Sequence, residues 1–342
     1  MPNPRSLATA RLSIVAPCYN EEGSIADFVR RVKAVCTGLR CPHEIVLVND
    51  GSRDRTLALA LELAAADPTV RVINLLRNFG HQAAATAGLD VATGDVVVLI
   101  DADLQDPPEV IPEMVARWAE GADVAYGRRR TRQGESRLKL LSAGLFYRVL
   151  RRMTHNDIPA DTGDFRLMDR RIVEVLRQMR ERHRFIRGMV SWVGGHQVAV
   201  LYDRNARFAG ETKYPLQKMI SFALDAITSF SVVPLRLVTY LALLIITLAL
   251  LATVTVFIVK LRQPDYFIPG FAATVITIIF FGGVQLLALG VIGEYVGRMY
   301  ESIKSRPIYV IEGIYQTGAG EPRVIRQSPA DPHSGPPAAH PG

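Results

Sequence analysis

Cysteine is scarce in this 342-residue chain, which contains only Cys18, Cys36 and Cys41. An odd count without metal-site spacing excludes a disulfide framework and a cysteine zinc site, so we interpret all three as reduced thiols. The N-terminal stretch 1–11 is polar and lacks the apolar core of a secretory signal. We therefore expect the folded part that follows to stay in the cytoplasm.

Charged residues are absent from two long stretches, Leu237–Val259 and Ile268–Gly293. A helix needs roughly 20 apolar residues to cross the hydrocarbon layer of a bilayer. The pattern predicts two transmembrane helices, at about 234–260 and 268–296; the alternative is a pair of buried core helices. Lys and Arg flank the outer ends of this pair more than the connection between its helices, which predicts a multi-pass hairpin with both termini cytoplasmic.

The sequence also lacks any helix-turn-helix, zinc-finger or stacking-aromatic pattern, although its formal net charge is +7. Its basic residues cluster at Arg128–Lys139, at Arg148–Arg152 and beside the predicted spans. This distribution excludes nucleic acid as the expected partner and favours anionic lipid head groups at a membrane surface.

Apolar strand-like and helical segments alternate up to about residue 206. Strand patterns at Leu12–Ala16, Glu44–Val48, Val70–Leu76, Val96–Ile100 and Val124–Tyr126 are separated by helical patterns. This alternation predicts an α/β domain with a mainly parallel sheet. The expected organisation is an N-terminal tail (1–11), a catalytic domain (12–206), an interface helix and membrane-proximal segment (207–233), two transmembrane helices (234–297), a cytoplasmic segment (298–315) and a disordered tail (316–342).

Polar side chains follow three of the predicted strands, where ligands bind in parallel α/β sheets. Glu21 follows the first strand, Asp50 the second, and Asp101 and Asp103 the Val96–Ile100 strand. Two carboxylates about 4 Å apart repel by roughly 4 kcal/mol at an effective dielectric near 20, so such a pair needs a cation or a shared proton. Hard oxygen ligands select Mg²⁺ or Mn²⁺. For Asp50, which precedes Gly51, an ordinary turn is the alternative.

Four arginines follow the Val124–Tyr126 strand on the same predicted edge: Arg128, Arg129, Arg130 and Arg132. Their forked guanidinium groups suit a phosphate. The alternative is a solvated basic loop.

Five segments together carry a family resemblance: Leu12–Glu22, Val48–Thr56, Arg77–Gly88, Ile100–Glu109 and Asp161–Leu167. In this order, and followed by two apolar spans, they resemble the polyisoprenyl-phosphate glycosyltransferases of family two, which are related to dolichyl-phosphate mannose synthase. The similarity is greatest to the bacterial polyprenyl-phosphate glucosyltransferase branch. It implies a GT-A catalytic domain, Rossmann-like with a mainly parallel sheet, followed by interface helices and a transmembrane hairpin.

The resemblance also implies roles for individual residues. It places the nucleotide sugar at Pro17, Tyr19, Glu21, Asp50, Asp101, Ala102 and Asp103, and the metal at Asp101, Asp103 and Gln105. Asp103 and Asp164 become the catalytic candidates, with Asp164 as the base and Asp161 as its substitute. The lipid phosphate is expected at Arg128, Arg130, Arg132, Arg207 and Lys213. A phosphate monoester is already largely ionised at neutral pH, so the alternative role of Asp164 is to position the acceptor.

The implied activity is inverting transfer of glucose or a related hexose from a UDP-linked donor to polyprenyl phosphate at the bacterial inner membrane. The resemblance further implies a homo-oligomer, a tetramer in this branch. A processive polysaccharide synthase is the second hypothesis, although the sequence lacks its Gln-x-x-Arg-Trp motif and has few spans for a polymer channel. A noncatalytic membrane scaffold is the third, and the clustered carboxylates argue against it.

Overall fold

A computed structural model describes the chain in several stretches. These are residue 5, residues 10–130, 162–182, 184–203, 270–304 and 306–317, and scattered positions from 238 to 262. The described residues fall into two units, one containing those up to residue 203 together with 306–317, the other containing those from 238 to 304.

The first unit is an α/β domain. Its strands are β1 (Leu12–Cys18), β2 (His43–Asn49), β3 (Val70–Leu75), β4 (Val96–Leu99), β5 (Val124–Arg129), β6 (Thr162–Asp169), β7 (Gln197–Tyr202) and β8 (Ile311–Tyr315). Its helices are α1 (Ile25–Leu39), α2 (Thr56–Ala66), α3 (His81–Val91), α4 (Ile111–Ala119), α5 (Arg170–Gln178) and α6 (Ile186–Val193), with a short 3₁₀ turn at Pro108–Val110.

The eight strands form one sheet in the order β7-β5-β6-β4-β1-β2-β3-β8. Strands β4, β1, β2 and β3 run parallel to one another, and β5 runs parallel to β7. The expected α/β fold with a mainly parallel sheet is confirmed. Three antiparallel pairings, made by β6 with β4 and β5 and by β8 with β3, were not expected.

Helices cover both faces of the sheet. Along β1 every residue is buried, because Ile14 and Ala16 face one apolar cluster with α1 and α4 while Val15 faces the other with α3 and α5. This double burial explains why the strand is apolar on both sides instead of alternating, with Ser13, bonded to Glu44, as its one polar residue.

Helix α3 lies unusually close to the sheet. A Cβ added to Gly88 would stand 2.3 Å from Cγ1 of Val15 and 3.0 Å from Cγ2 of Val48. The alanine-rich sequence around Gly88 is therefore needed for close packing.

Strand direction brings several loops to one edge. The parallel strands β1, β2, β3 and β4 end there, and β6, being antiparallel to β4, begins there with Thr162, Gly163 and Asp164. Strand β5 runs antiparallel to β6 and ends at the same edge, with Arg128 opposite Thr162. The acidic loops and the arginines therefore share the edge that the sequence predicts.

Strand β8 was not predicted from the sequence. It pairs with β3 from Val72 opposite Tyr315 to Leu75 opposite Ile311, with an irregularity after Asn74. The segment 298–315, expected only to be cytoplasmic, thus contributes an edge strand to the catalytic domain.

The second unit contains helix α7 (Phe271–Ile303). Its stretch Phe280–Gly297 has a mean hydropathy of 1.4, none of it is buried, and by length and composition it could cross a membrane. Isolated described positions of the first predicted span, such as Tyr240 and Leu251, are helical. The predicted interface segment 207–233, the tail beyond residue 317, and the site candidates Asp161, Arg132, Arg207 and Lys213 lie outside the described residues.

Candidate active site

A cleft of about 330 Å³ opens at the carboxyl edge of the sheet. The residues lining it are Pro17, Cys18, Tyr19, Glu21, Asp50, Asn78, Gly80, His81, Ala84, Asp101, Ala102 and Asp103. All seven residues predicted to contact the nucleotide sugar are among them. The structure adds the loop Asn78–His81, to which the sequence reasoning gave no role.

The loops after β1 and β2 hold each other through backbone donors and side-chain acceptors. Asn20 N–H donates to Ser52 Oγ at 3.1 Å, Arg53 N–H to Asn20 Oδ1 at 2.9 Å, and Glu21 N–H to Thr56 Oγ1 at 2.8 Å. Asn20 itself adopts a left-handed backbone with φ of 55°, which asparagine tolerates better than most residues. These bonds fix the wall of the cleft that carries Tyr19 and Glu21.

Asp50 anchors the third loop of the cleft. Its carboxylate accepts hydrogen bonds from Phe79 N–H at 2.7 Å and Gly80 N–H at 3.0 Å. Burial raises the pKa of Asp50, and these two bonds oppose the shift. A carboxylate has about four acceptor sites, so Asp50 can still accept from a ligand while it holds this loop.

Gly51 follows with φ of 63°, and a Cβ there would stand 2.5 Å from Asn78 N. Only glycine allows this approach without strain. The chain therefore turns at Asp50-Gly51, as the alternative interpretation held, and Asp50 also lines the cleft.

The pair Asp101 and Asp103 follows β4. Asp101 Oδ1 is buried and has no hydrogen-bond partner among the described residues, and it lies 3.5 Å from His81 Nε2. Burial, followed by the charges of Asp164, Asp106 and Asp103, raises the pKa of Asp101 to about 7 against the opposing effect of His81. Asp103 Oδ1 accepts from Gln105 N–H at 3.1 Å.

These two carboxylates fit a hard divalent cation, because one buried oxygen of Asp101 accepts no hydrogen bond from any described residue and the two charges repel. The described residues contain no set of three His, Cys, Asp or Glu side chains that could hold a metal by themselves. Magnesium commonly takes one or two carboxylates together with substrate phosphates, which agrees with this donor set. Gln105 is buried and does not line the cleft, so its predicted metal contact stays a prediction.

Asp164 lies at the start of β6, within a cluster of donors. Its Oδ2 accepts from Gln82 Nε2 at 2.9 Å and lies 3.2 Å from His81 Nε2, and its Oδ1 lies 3.3 Å from Arg187 Nη2. Burial alone would raise the pKa of Asp164, but the His81 hydrogen bond, Arg187 and Arg166 lower it far below its usual range. A carboxylate stabilised in this way is a weak proton acceptor.

His81 is the cationic partner within this cluster. Burial lowers its pKa, but the hydrogen bond to Asp164 and the charges of Asp101, Asp164 and Asp50 outweigh burial and raise it to about 9. Between about pH 7, where Asp101 ionises, and about pH 9, an imidazolium lies between the carboxylates of Asp101 and Asp164 and compensates both.

Arg166, inside β6, is 3% exposed. Its guanidinium donates to the carbonyl oxygens of Gly163 at 3.0 Å and Asp164 at 3.2 Å, and burial lowers its pKa to about 10. It remains charged at neutral pH and holds the backbone that presents Asp164.

The arginines predicted to bind phosphate differ in how far their side chains are exposed to solvent. Arg128 and Arg130 are more exposed, and Arg130 pairs with Asp203 at 3.6 Å. Arg129 instead donates a hydrogen bond to the hydroxyl of Tyr202, and that hydroxyl donates to Asp106. The Nε of Arg129 is buried without a hydrogen-bond partner among the described residues. Asp106 is thus a partner of Tyr202.

Sequence reasoning missed His81, Gln82 and Arg187. His81 and Gln82 open α3 directly after the β3 loop, so their position at the carboxyl edge was a usable signal. Arg187 lies 23 residues beyond Asp164 in sequence, and no local pattern links the two.

Comparison with known proteins identifies the family of this chain. The family profile "Glycosyl transferase family 2" matches residues 13–177. An uncharacterized glycosyltransferase of Synechocystis sp. is 48% identical, over 90% of this chain and 96% of that protein.

Two further relatives have more specific names. The prophage bactoprenol glucosyl transferase homolog of Escherichia coli is 40% identical over 89% of this chain and 99% of its own length. The bactoprenol glucosyl transferase of Shigella phage SfX is 41% identical over 88% of this chain and 99% of its own length. The predicted resemblance to the bacterial polyprenyl-phosphate branch is confirmed, and the chain belongs to glycosyl transferase family 2 as a glycosyltransferase enzyme.

Proposed function

We propose that this chain transfers glucose or a related hexose from a UDP-linked donor to polyprenyl phosphate, with inversion at the anomeric carbon. The observation that carries the proposal is a cleft lined by Asp50, Asp101, Asp103 and His81, in which His81 contacts Asp164 and Asp164 in turn pairs with Arg187. The names of the relatives support glucose and a bactoprenol acceptor.

In this proposal Pro17, Tyr19, Glu21 and Asp50 bind the nucleoside. Tyr19 is 42% exposed at the mouth of the cleft, where a ring can pack against a base. Asp50, fixed by the Phe79 and Gly80 amides, presents its remaining lone pairs to hydroxyl or base donors.

Asp101 and Asp103 hold a Mg²⁺ or Mn²⁺ ion, with Gln105 as a further candidate ligand. Such an ion, when bound, neutralises the charge that builds on the departing nucleoside diphosphate. Asp101 Oδ1 supports this assignment, because it accepts no hydrogen bond from the residues that the structure describes.

The reacting oxygen belongs to the lipid phosphate, which is already largely ionised at neutral pH and needs little help from a base. It forms the new bond to the anomeric carbon from the face opposite the leaving diphosphate. Asp164 is a catalytic candidate through position and charge, because it orients the cations His81 and Arg187 beside the reacting groups. Asp161 stays the substitute for this role.

The acceptor phosphate is bound by arginines and lysine: Arg128, Arg130, Arg132, Arg207 and Lys213. Arg129, whose buried Nε has no hydrogen-bond partner within the described part of the chain, joins this set. Guanidinium groups recognise phosphate oxygens through paired hydrogen bonds.

For the membrane, the proposal is a hairpin with both termini cytoplasmic, in the bacterial inner membrane, and a homo-oligomer such as a tetramer. Strands β7 and β8 precede and follow the apolar segment yet belong to one sheet. The chain must therefore leave and return on one side of the bilayer. If α7 crosses, a second crossing must precede it, and 234–260 is the candidate.

The proposal is tested by incubating purified membranes with short-chain polyprenyl phosphate and a panel of labelled nucleotide sugars. A lipid carrying one sugar, made from a UDP-linked hexose, is the expected product. Polymer would support the processive synthase, and binding of lipid without turnover of any donor would support the scaffold.

A further inference from the structure

Three polar side chains from three adjacent strands form a continuous chain across the sheet. Asn74 of β3 donates through Nδ2 to Glu312 Oε2 of β8 at 2.6 Å, and Asn49 of β2 donates through Nδ2 to Asn74 Oδ1 at 2.7 Å. Asn49 and Asn74 are 3% and 5% exposed and lie opposite each other in register. Burying an amide side chain costs free energy unless the amide is hydrogen-bonded, so this hydrogen-bonded chain offsets the burial of Asn49 and Asn74.

The carboxylate of Glu312 at one end sets the donor-to-acceptor direction of this hydrogen-bonded chain. Ionised Glu312 can only accept, so it selects the Asn74 orientation with the amide nitrogen towards β8 and the oxygen towards β2. That oxygen in turn takes the nitrogen of Asn49, which leaves Asn49 Oδ1 to accept from Ser52 N–H at 3.3 Å. The orientation of both buried amides thus follows from one acceptor on β8.

At its other end, the hydrogen-bonded chain reaches a loop of the cleft. Ser52 Oγ accepts from Asn20 N–H, and Asn20 Oδ1 accepts from Arg53 N–H. Asn20 stands between the cleft residues Tyr19 and Glu21, and Asp50 stands between Asn49 and Gly51. A change in Asn49 would therefore reach both loops that wall the cleft.

We propose that Glu312 is a positioning residue for the nucleotide-sugar donor, acting through Asn74 and Asn49 on the loop Asp50–Arg53. The strand that follows the apolar segment in sequence thus completes the donor site although none of its residues lines the cleft. This inference rests on the proposed function for its link to the donor. The chain of hydrogen bonds itself stands independently.

The test compares three variants of the full-length protein. Glu312→Ala removes the terminal acceptor, while Glu312→Gln keeps an amide oxygen that can accept. Gln316→Ala is the matched control, because Gln316 also joins β8 to the β3 region, through Arg71 Nε at 3.1 Å and the Pro68 carbonyl at 2.9 Å, but has no bond to the chain of amides.

The first measurement is amide hydrogen exchange of residues 49–54 without any substrate, so its outcome does not depend on the donor being correctly identified. Glu312→Ala is expected to exchange severalfold faster there, with Glu312→Gln near wild type and Gln316→Ala unchanged. Unchanged exchange in Glu312→Ala, or equal acceleration in Gln316→Ala, would overturn the positioning role.

The second measurement is the KM of the nucleotide sugar that supports turnover, with kcat alongside. Loss of one hydrogen bond in the chain is expected to raise KM about fivefold in Glu312→Ala, with kcat within about twofold. Faster exchange together with an unchanged KM would overturn the link to the donor, and restoration of KM in Glu312→Gln would support it.

Discussion

His81 Nε2 lies 3.2 Å from Asp164 Oδ2, although the two residues are 83 positions apart in sequence. One comes from the first turn of a helix and the other from the start of an antiparallel strand. Their contact joins the cleft, which His81 lines together with Asp101, to Arg166 of β6 and Arg187 of α6. The behaviour expected of the site follows from this connection.

Replacement of Asp103 by alanine should abolish transfer. The change removes one of two hard oxygen ligands for the cation, and electrostatic stabilisation of this kind is worth about 10²–10³ in rate. Turnover measured over a range of Mg²⁺ and Mn²⁺ concentrations checks this, with Asp27→Ala, an exposed carboxylate paired with Arg30, as the control. Near-normal activity of Asp103→Ala at limiting metal would refute the metal assignment.

Asp164→Asn should lower kcat by about tenfold or more while the donor still binds, because the amide keeps the shape but loses the charge that holds His81 and Arg187. Nucleotide binding by calorimetry and single-turnover transfer separate the two effects. A matching loss of donor affinity would place Asp164 in the donor site instead.

Gly88→Ala should destabilise the catalytic domain by about 1–3 kcal/mol, the usual cost of overpacking a filled core. The added methyl group would stand 2.3 Å from Val15 Cγ1. Gly38→Ala is the control: it also lies in a helix, and a Cβ there meets nothing within 4 Å. Thermal unfolding in detergent should show a lower midpoint for Gly88→Ala only; equal midpoints would contradict the close packing of α3.

Glu44 should make stability depend on acid pH. This buried carboxylate accepts from Ser13 Oγ at 2.6 Å and from Thr93 N–H at 2.6 Å, with Arg71 Nη1 at 3.5 Å. Burial raises its pKa, but these contacts outweigh burial and lower the pKa below the usual range of a glutamate. Because the folded pKa is the lower one, Glu44 stabilises the fold above about pH 4.5, and this contribution is lost as pH falls towards the folded pKa.

Glu44→Gln should therefore lose about 1.5–3 kcal/mol of unfolding free energy at pH 7, the range for hydrogen bonds to a charged group. The difference from wild type should shrink below pH 4.5. Unfolding midpoints across this pH range, with the exposed Glu113→Gln as control, provide the measurement. A difference independent of pH would show that the charge of Glu44 is not responsible.

Local pattern was enough for the first half of the fold. Strands β1 to β5 were predicted within three residues at each end, since apolar spacing along a strand directly reflects which side is buried. The position of Asp101 and Asp103 after a fully apolar strand could likewise be predicted from the sequence, because the carboxyl ends of parallel strands lie at one edge of the sheet.

What the sequence by itself determined was therefore the alternating core, the acidic edge, the family and the apolar C-terminal stretches. The tertiary structure decided the rest: the antiparallel β6 that brings Asp164 to His81, the choice of Arg129 as the inward arginine, and β8 on the outer edge of β3. The physical reason is the sequence separation between the residues that interact. Hydrophobic periodicity is set by neighbours a few residues apart, whereas strand partners and buried ion pairs are selected by packing between segments separated by tens to hundreds of residues.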